Sequence, residues 1–136
     1  MVSEFELSKR SRSKLVGVHA DLVRVVEHAI TITPIDFAVT EGVRGIERQR
    51  YLMSRGFSRT LKSKHLTGRA VDVMAVGDLD GDGDVDAQDR AITWDHDLYT
   101  QIADAMKHSA AALGVGVRWG GNFKSFFDGP HFELWP

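Results

Sequence analysis

Two histidine motifs set far apart place the strongest constraint on how this 136-residue chain can fold. The first is Ser63-Lys64-His65-Leu66-Thr67-Gly68-Arg69-Ala70-Val71-Asp72, in the middle of the chain. The second is Asp128-Gly129-Pro130-His131-Phe132-Glu133-Leu134, close to the C-terminus. Together they offer two imidazoles and a carboxylate, with a further carboxylate three residues before the last histidine. A catalytic zinc ion takes three such protein ligands and keeps its fourth position for water, whose pKa it lowers to about 7. A fold that uses both motifs must therefore bring a mid-chain segment and the C-terminal segment onto one ion. The chemistry this predicts is that of a metallohydrolase.

Local spacing supports that convergence. Gly68 lets the chain turn between His65 and Asp72, so that a loop histidine and a strand aspartate can meet. Alternate residues of a strand face the same way, which puts Ala70 and Asp72 on one face and leaves room beside the metal. Pro130 restricts the backbone before His131, and Asp128 can reach back toward a metal-bound water. Glu133 shares a strand face with His131 and rivals Asp128 as general base; it can also orient a ligand histidine from behind. His19, His28, His96 and His108 lie on or beside predicted helices and are read as surface or partly packed residues.

The segment from Ser63 to Val73 resembles the Ser-x-His-x-x-Gly-x-Ala-x-Asp signature of the zinc D-Ala-D-Ala carboxypeptidase and dipeptidase superfamily. The closing Asp128–Leu134 segment resembles that superfamily's second signature, in the form used by phage L-alanyl-D-glutamate peptidases. The resemblance runs from about residue 40 to the end. It implies an endolysin that cuts peptidoglycan stem peptides, with His65, Asp72 and His131 as zinc ligands and Asp128 as general base and later acid. It also implies that Arg44, in Glu41-Gly42-Val43-Arg44-Gly45, reaches the active site to hold a substrate carboxylate or stabilise an oxyanion. Ser63 belongs to the signature and is expected near the substrate or a ligand. Trp119, followed by Gly120 and Gly121, is expected either to wall the cleft or to sit in the core.

A second motif is acidic. Asp78-Leu79-Asp80-Gly81-Asp82-Gly83-Asp84-Val85-Asp86-Ala87-Gln88-Asp89 fits the 12-residue calcium loop, with oxygen ligands at positions 1, 3, 5, 7 and 9, glycine at 6 and an acid at 12. The expected ligands are Asp78, Asp80, Asp82, Asp84 and Asp89. The closing residue is aspartate rather than glutamate, and the segment upstream is the Asp72 strand rather than a helix, so this is an EF-hand-like insertion and not a paired EF-hand. Because Asp78 follows Asp72 so closely, an ordered loop would fix the zinc-bearing strand, so calcium is expected to stabilise or activate.

Charge is unevenly distributed. Residues 1–64 carry 12 basic and 7 acidic side chains, a net of +5, whereas residues 65–136 carry 5 and 12, a net of −7. Without the six loop aspartates the chain would stand at 17 − 13, or +4, so the body is mildly basic and suited to anionic wall polymers. With no cysteine, neither a disulfide framework nor a thiolate metal site is possible. No apolar run approaches the ~20 residues of a membrane span, and the N-terminus lacks an apolar signal core. Synthesis in the host cytoplasm without a signal peptide is therefore expected, and the family resemblance implies release to the wall by a holin.

Hydrophobic spacing predicts a helix over 11–30, a strand over 36–40, a helix over 46–55 and a loop from Ser58 to Thr67. A strand follows over 70–76, then the acidic loop, a helix over 95–113, and closing strands at 115–119 and 131–135. The fold class is α+β, a small antiparallel sheet with flanking helices, forming one catalytic domain over 1–136. The expected activity is zinc-dependent hydrolysis of the L-alanyl-D-glutamate bond by a monomer acting on peptidoglycan, with neither nucleic-acid binding nor membrane insertion. The alternatives are a D-Ala-D-Ala carboxypeptidase or dipeptidase, and a non-catalytic calcium-dependent wall-binding module.

Overall fold

The computed structural model describes residues 4–58, 63–123 and 127–136. Its elements are α1 (Lys9–Lys14), α2 (Ala20–Ala29), β1 (Phe37–Glu41), α3 (Ile46–Ser54), β2 (Ala70–Ala75), α4 (Ala87–Ile92), α5 (His96–Leu113), β3 (Val117–Trp119) and β4 (His131–Leu134). The strands form one sheet in the order β1-β2-β4-β3. Every neighbouring pair is antiparallel, as expected for the α+β class.

Helical periodicity explains the core. On α2, Leu22, Val25, Val26 and Ala29 recur at the three- and four-residue spacing of one helix face, and all four are fully buried. They meet Ile102, Ala103 and Met106 of α5 and the inward residues Phe37, Val39, Val71, Val73 and Phe132 of the sheet. Full burial of one such side chain contributes about 1.5–3 kcal/mol. A hydrogen bond between His28 Nδ1 and Ser109 Oγ, 2.7 Å long, links the two helices at their polar margin.

The expected helix over 11–30 is two helices. Gly17 adopts a left-handed φ of 84°, and His19 restarts the chain by capping α2, its Nδ1 accepting from the Asp21 N–H. Leu15 and Val18 stay buried in the turn between them, so apolar spacing survived where helical geometry did not. The break lets α1 turn across the edge of the sheet, where Ser11 Oγ accepts the Val39 N–H at 3.0 Å and covers an otherwise open strand.

Other boundaries moved less. The strand expected at 115–119 is only Val117–Trp119, and His65 lies in a 3-10 turn, Lys64–Thr67, within the expected loop. Helix α4 has no counterpart among the elements expected from hydrophobic spacing. It is started by a capping box in which Asp86 and Asp89 exchange bonds with each other's backbone, the same two residues that fall inside the calcium-loop motif.

Candidate metal centre and active site

The two inner strands carry the centre of the site. Asp72 on β2 is paired in register with His131 on β4, and with Glu41 of β1 on its other side. His65 arrives from the 3-10 turn, where Ser63 Oγ accepts the His65 N–H at 3.2 Å. Ser63 thus caps the turn and sets the histidine in place through the backbone. His65 Nε2 and His131 Nδ1 each lie 3.3 Å from Asp72 Oδ1. One donor atom from each of His65, Asp72 and His131 falls within 4.8 Å of the others, a group able to hold a metal ion.

The far nitrogens of both rings are also engaged. His65 Nδ1 is 2.8 Å from the Gly42 carbonyl, which can only accept, so Nδ1 carries the proton and Nε2 presents its lone pair inward. His131 Nε2 is 2.8 Å from Glu133 Oε1, which leaves Nδ1 facing Asp72. Glu133 is buried, and its second oxygen meets Lys64 Nζ at 3.2 Å and Arg118 Nη2 at 3.3 Å. Burial favours the neutral acid, but the bonds from His131 and Lys64 prevail and bring the pKa of Glu133 down to about 2. Burial likewise opposes charge on His131, yet Asp72 and Glu133 carry its pKa up to about 9. Asp72 is held well below the ordinary carboxylate range: burial works against it, and hydrogen bonds from His131 and His65 overcome that penalty.

Asp128 lies on the segment leading into β4. Its N–H donates to the Gly120 carbonyl at 3.0 Å, and its own carbonyl accepts the His131 N–H at 3.1 Å. Gly120 is required there, since a Cβ on it would sit 2.1 Å from the Asp128 carbonyl oxygen. Trp119 is buried and donates Nε1–H to the Gly129 carbonyl at 2.7 Å, so it belongs to the core and pins this segment. Burial raises the pKa of Asp128, and the nearby charge of Asp72 raises it further. Asp128 and Glu133 are therefore opposites. One is half-buried and pushed toward neutral pH, while the other is anionic and turned to the outer side of a histidine ring.

Arg44 reaches the site, but most of its fork is engaged. Nε and Nη2 each bond Glu41 at 2.8 Å, Nη1 bonds Gln49 at 2.7 Å, and Nη2 stands 3.5 Å from Asp72 Oδ2. Sequence reasoning missed Glu41 and Gln49, although an acid three residues before Arg44 was a visible cue. It also missed Tyr99, a buried residue whose hydroxyl is pushed up by burial and feels the charges of Asp72 and Asp128.

The acidic loop folds on its own backbone. Asp89 is buried and accepts the Leu79, Asp80 and Asp86 N–H groups at 2.7, 3.1 and 2.8 Å. Asp78 accepts from Gly83 at 2.9 Å, and Asp82 from Asp84 at 2.9 Å. Two overlapping carboxylate groups result, Asp78 with Asp80 and Asp89, and Asp80 with Asp82 and Asp86. Asp84 is in neither; position 7 of such a loop serves through its backbone carbonyl. Asp80 receives the Asp82 N–H, yet the crowding of Asp82 and Asp89 pushes its pKa up to about 6.

The profile of the phage L-alanyl-D-glutamate peptidase family matches residues 3–135. The L-alanyl-D-glutamate peptidase of Escherichia phage T5 is 26% identical over 144 aligned positions, spanning 96% of this chain and 98% of that protein. The peptidase of the same name from Listeria phage A118 is 32% identical over 101 positions, covering 74% of this chain and 31% of the longer relative. Among solved structures, the Serratia marcescens L-Ala D-Glu endopeptidase ChiX superposes with a TM-score of 0.81 at 43% identity, covering 97% of this chain and 92% of that one.

Proposed function

The chain belongs to the phage L-alanyl-D-glutamate peptidase family, and from that premise we propose that it is a zinc-dependent endopeptidase cutting the L-alanyl-D-glutamate bond of peptidoglycan stem peptides. The observation that carries the metal reading is the direction of the donors. His65 Nε2, Asp72 and His131 Nδ1 face one another, while the protons on the opposite ring nitrogens are taken by the Gly42 carbonyl and Glu133. Two neutral imidazoles and one carboxylate, with an open position, suit zinc. Bound there, the ion supplies Lewis acidity toward the scissile carbonyl and the attacking water.

The protein's own groups do the rest. Asp128 takes a proton from the attacking water and returns it to the leaving amine of D-glutamate, and its raised pKa brings it nearer the working range of a base that must also serve as an acid. Glu133 orients His131. Arg44 holds Asp72 from one side and places positive charge where the carbonyl oxygen gains negative charge. Asp78, Asp80, Asp82, Asp84 and Asp89 hold calcium, which relieves the repulsion within the loop and steadies β2.

Among the described residues no helix is long and apolar enough to cross a membrane. The protein acts as a monomer on the cell wall after release from the host cytoplasm by a holin. Digestion of purified peptidoglycan by the zinc-loaded protein, with Asp128→Ala as control, tests the reading by mass spectrometry of the new ends. New N-terminal D-glutamate is the expected result. Released D-alanine would instead place the enzyme with the carboxypeptidases, and intact peptidoglycan despite bound zinc would leave a wall-binding module.

A further inference from the structure

The two flanks of the metal centre differ in chemistry, and the sheet order separates them. Beyond β1, a groove lined by Lys14, Thr40, Glu41 and Arg48 adjoins Gly42, the residue that holds His65. Across β2 from that groove, where α5 meets the segment entering β4, the flank is aromatic. Trp94 is 60% exposed and stacks on Tyr99 with centroids 5.9 Å apart and planes 15° from parallel. Phe127 is 49% exposed, lies 4.9 Å from the His96 ring and 6.0 Å from Trp119, and immediately precedes Asp128. Tyr99 and Phe127 both close on Gly129: a Cβ there would stand 3.3 Å from Tyr99 Cγ and 2.8 Å from the Phe127 ring. Phe127 directly, and Trp94 by way of Tyr99, therefore border the segment that carries Asp128. Large aromatic side chains left this open beside a reaction centre mark a contact surface.

We propose that Trp94, His96 and Phe127 form a saccharide subsite that seats the N-acetylmuramoyl ring of the substrate. This deepens the endopeptidase reading and rests on it. In a stem peptide the L-alanine on the amino side of the scissile bond is joined through a lactyl amide to N-acetylmuramic acid. That side is neutral, and its pyranose presents apolar C–H faces within one residue of the bond cut. The other side continues from D-glutamate and carries free carboxylate. Aromatic faces, negative at their centres, suit polarised C–H groups, whereas a groove bearing Lys14 and Arg48 against a single acid, Glu41, suits the anionic side. The substrate thus lies across the strands, sugar toward α5 and the segment entering β4, and D-glutamate toward the β1 edge.

Two substrates that differ only in the sugar test this: N-acetylmuramoyl-L-alanyl-D-glutamate and N-acetyl-L-alanyl-D-glutamate. The zinc-loaded protein should favour the first by about tenfold in kcat/KM, chiefly through KM. In Trp94→Ala and in Phe127→Ala the ratio of the two should fall toward one. A ratio near one in the unaltered protein, or a ratio both variants preserve, overturns the proposal. Saturation-transfer NMR with N-acetylmuramoyl-L-alanine, which lacks the scissile bond, probes the sugar contact without turnover. Transfer to the pyranose protons should weaken in both variants, and equal transfer in all three proteins overturns the subsite. If neither dipeptide is cleaved, the endopeptidase reading fails while the NMR result still decides the sugar contact.

Discussion

The molecule contains two carboxylate-rich regions built on opposite principles. Around the candidate metal position Asp72 and Glu133 are already partnered: Asp72 faces two histidines and Arg44, and Glu133 faces His131, Lys64 and Arg118. In the loop from Asp78 to Asp89 the acids accept backbone N–H groups and one another's neighbours, but among the described residues none of the six is in an ion pair. The pKa shifts follow in part: Asp72 and Glu133 are lowered and Asp80 in the loop is raised, while Asp89, which accepts three backbone N–H groups, is lowered. A charge set compensated in advance keeps its geometry whether or not an ion arrives. One that is not compensated depends on the ion for its stability. Under the proposed reading, zinc would serve the chemistry and calcium the form.

Four experiments sharpen or break that contrast. The largest effect falls on Asp128: Asp128→Asn should lower kcat by about 10²–10⁴-fold with zinc content unchanged, measured by turnover alongside metal analysis. Zinc lost together with activity would mean that Asp128 serves the ligands rather than the reaction. Next comes Glu133→Gln, which keeps a hydrogen-bond acceptor for His131 but removes the charge. Zinc affinity, read by competition with a chromophoric chelator, should drop about 10–100-fold while the circular dichroism spectrum is retained. An unchanged affinity would show that the compensated side does not depend on its outer carboxylate.

Calcium removal should act on stability. At a calcium concentration about 100 times its Kd, Tm should stand roughly 10 °C above that of the calcium-free protein. An equal Tm with and without calcium would dissolve the distinction between the regions. The smallest effect concerns pH. The folded, calcium-free protein holds the Asp80 proton up to about pH 6, against an ordinary value of 3.8, so it binds that proton more tightly than the unfolded chain does. Stability must then fall as pH rises from about 4 to about 6 and stay lower above it. Asp80→Asn, or saturating calcium, should flatten that slope in thermal melts taken across the range.

Legibility followed the same division. The convergence of His65, Asp72 and His131 could be read because each sits at a fixed spacing on a strand or turn, and strand alternation then decides which side chains face one another. Its supports could not, because Gln49 and the Gly42 carbonyl act through contacts that no local pattern records. Tyr99 was hidden for a different reason: on an amphipathic helix, a residue that packs under a catalytic segment looks like any other core residue. In the acidic loop, one sequence pattern is compatible with two structures. Asp86 and Asp89 suit both a calcium loop and a capping box, and reading only the first concealed α4. The helix break at Gly17 was visible as a residue but outweighed by continuous apolar spacing, which a buried turn also satisfies.

The close approach of Gly120 to the Asp128 carbonyl bears on how genetics would perceive this enzyme. A screen for lost lysis scores positions by phenotype, and any side chain at 120 would shift the backbone that carries Asp128, the proposed base. Gly120, which has no functional group, would then be recovered alongside the ligands. Substitutions restoring activity in such a background should map to residues 127–130, on the other face of the same contact, rather than to the metal ligands.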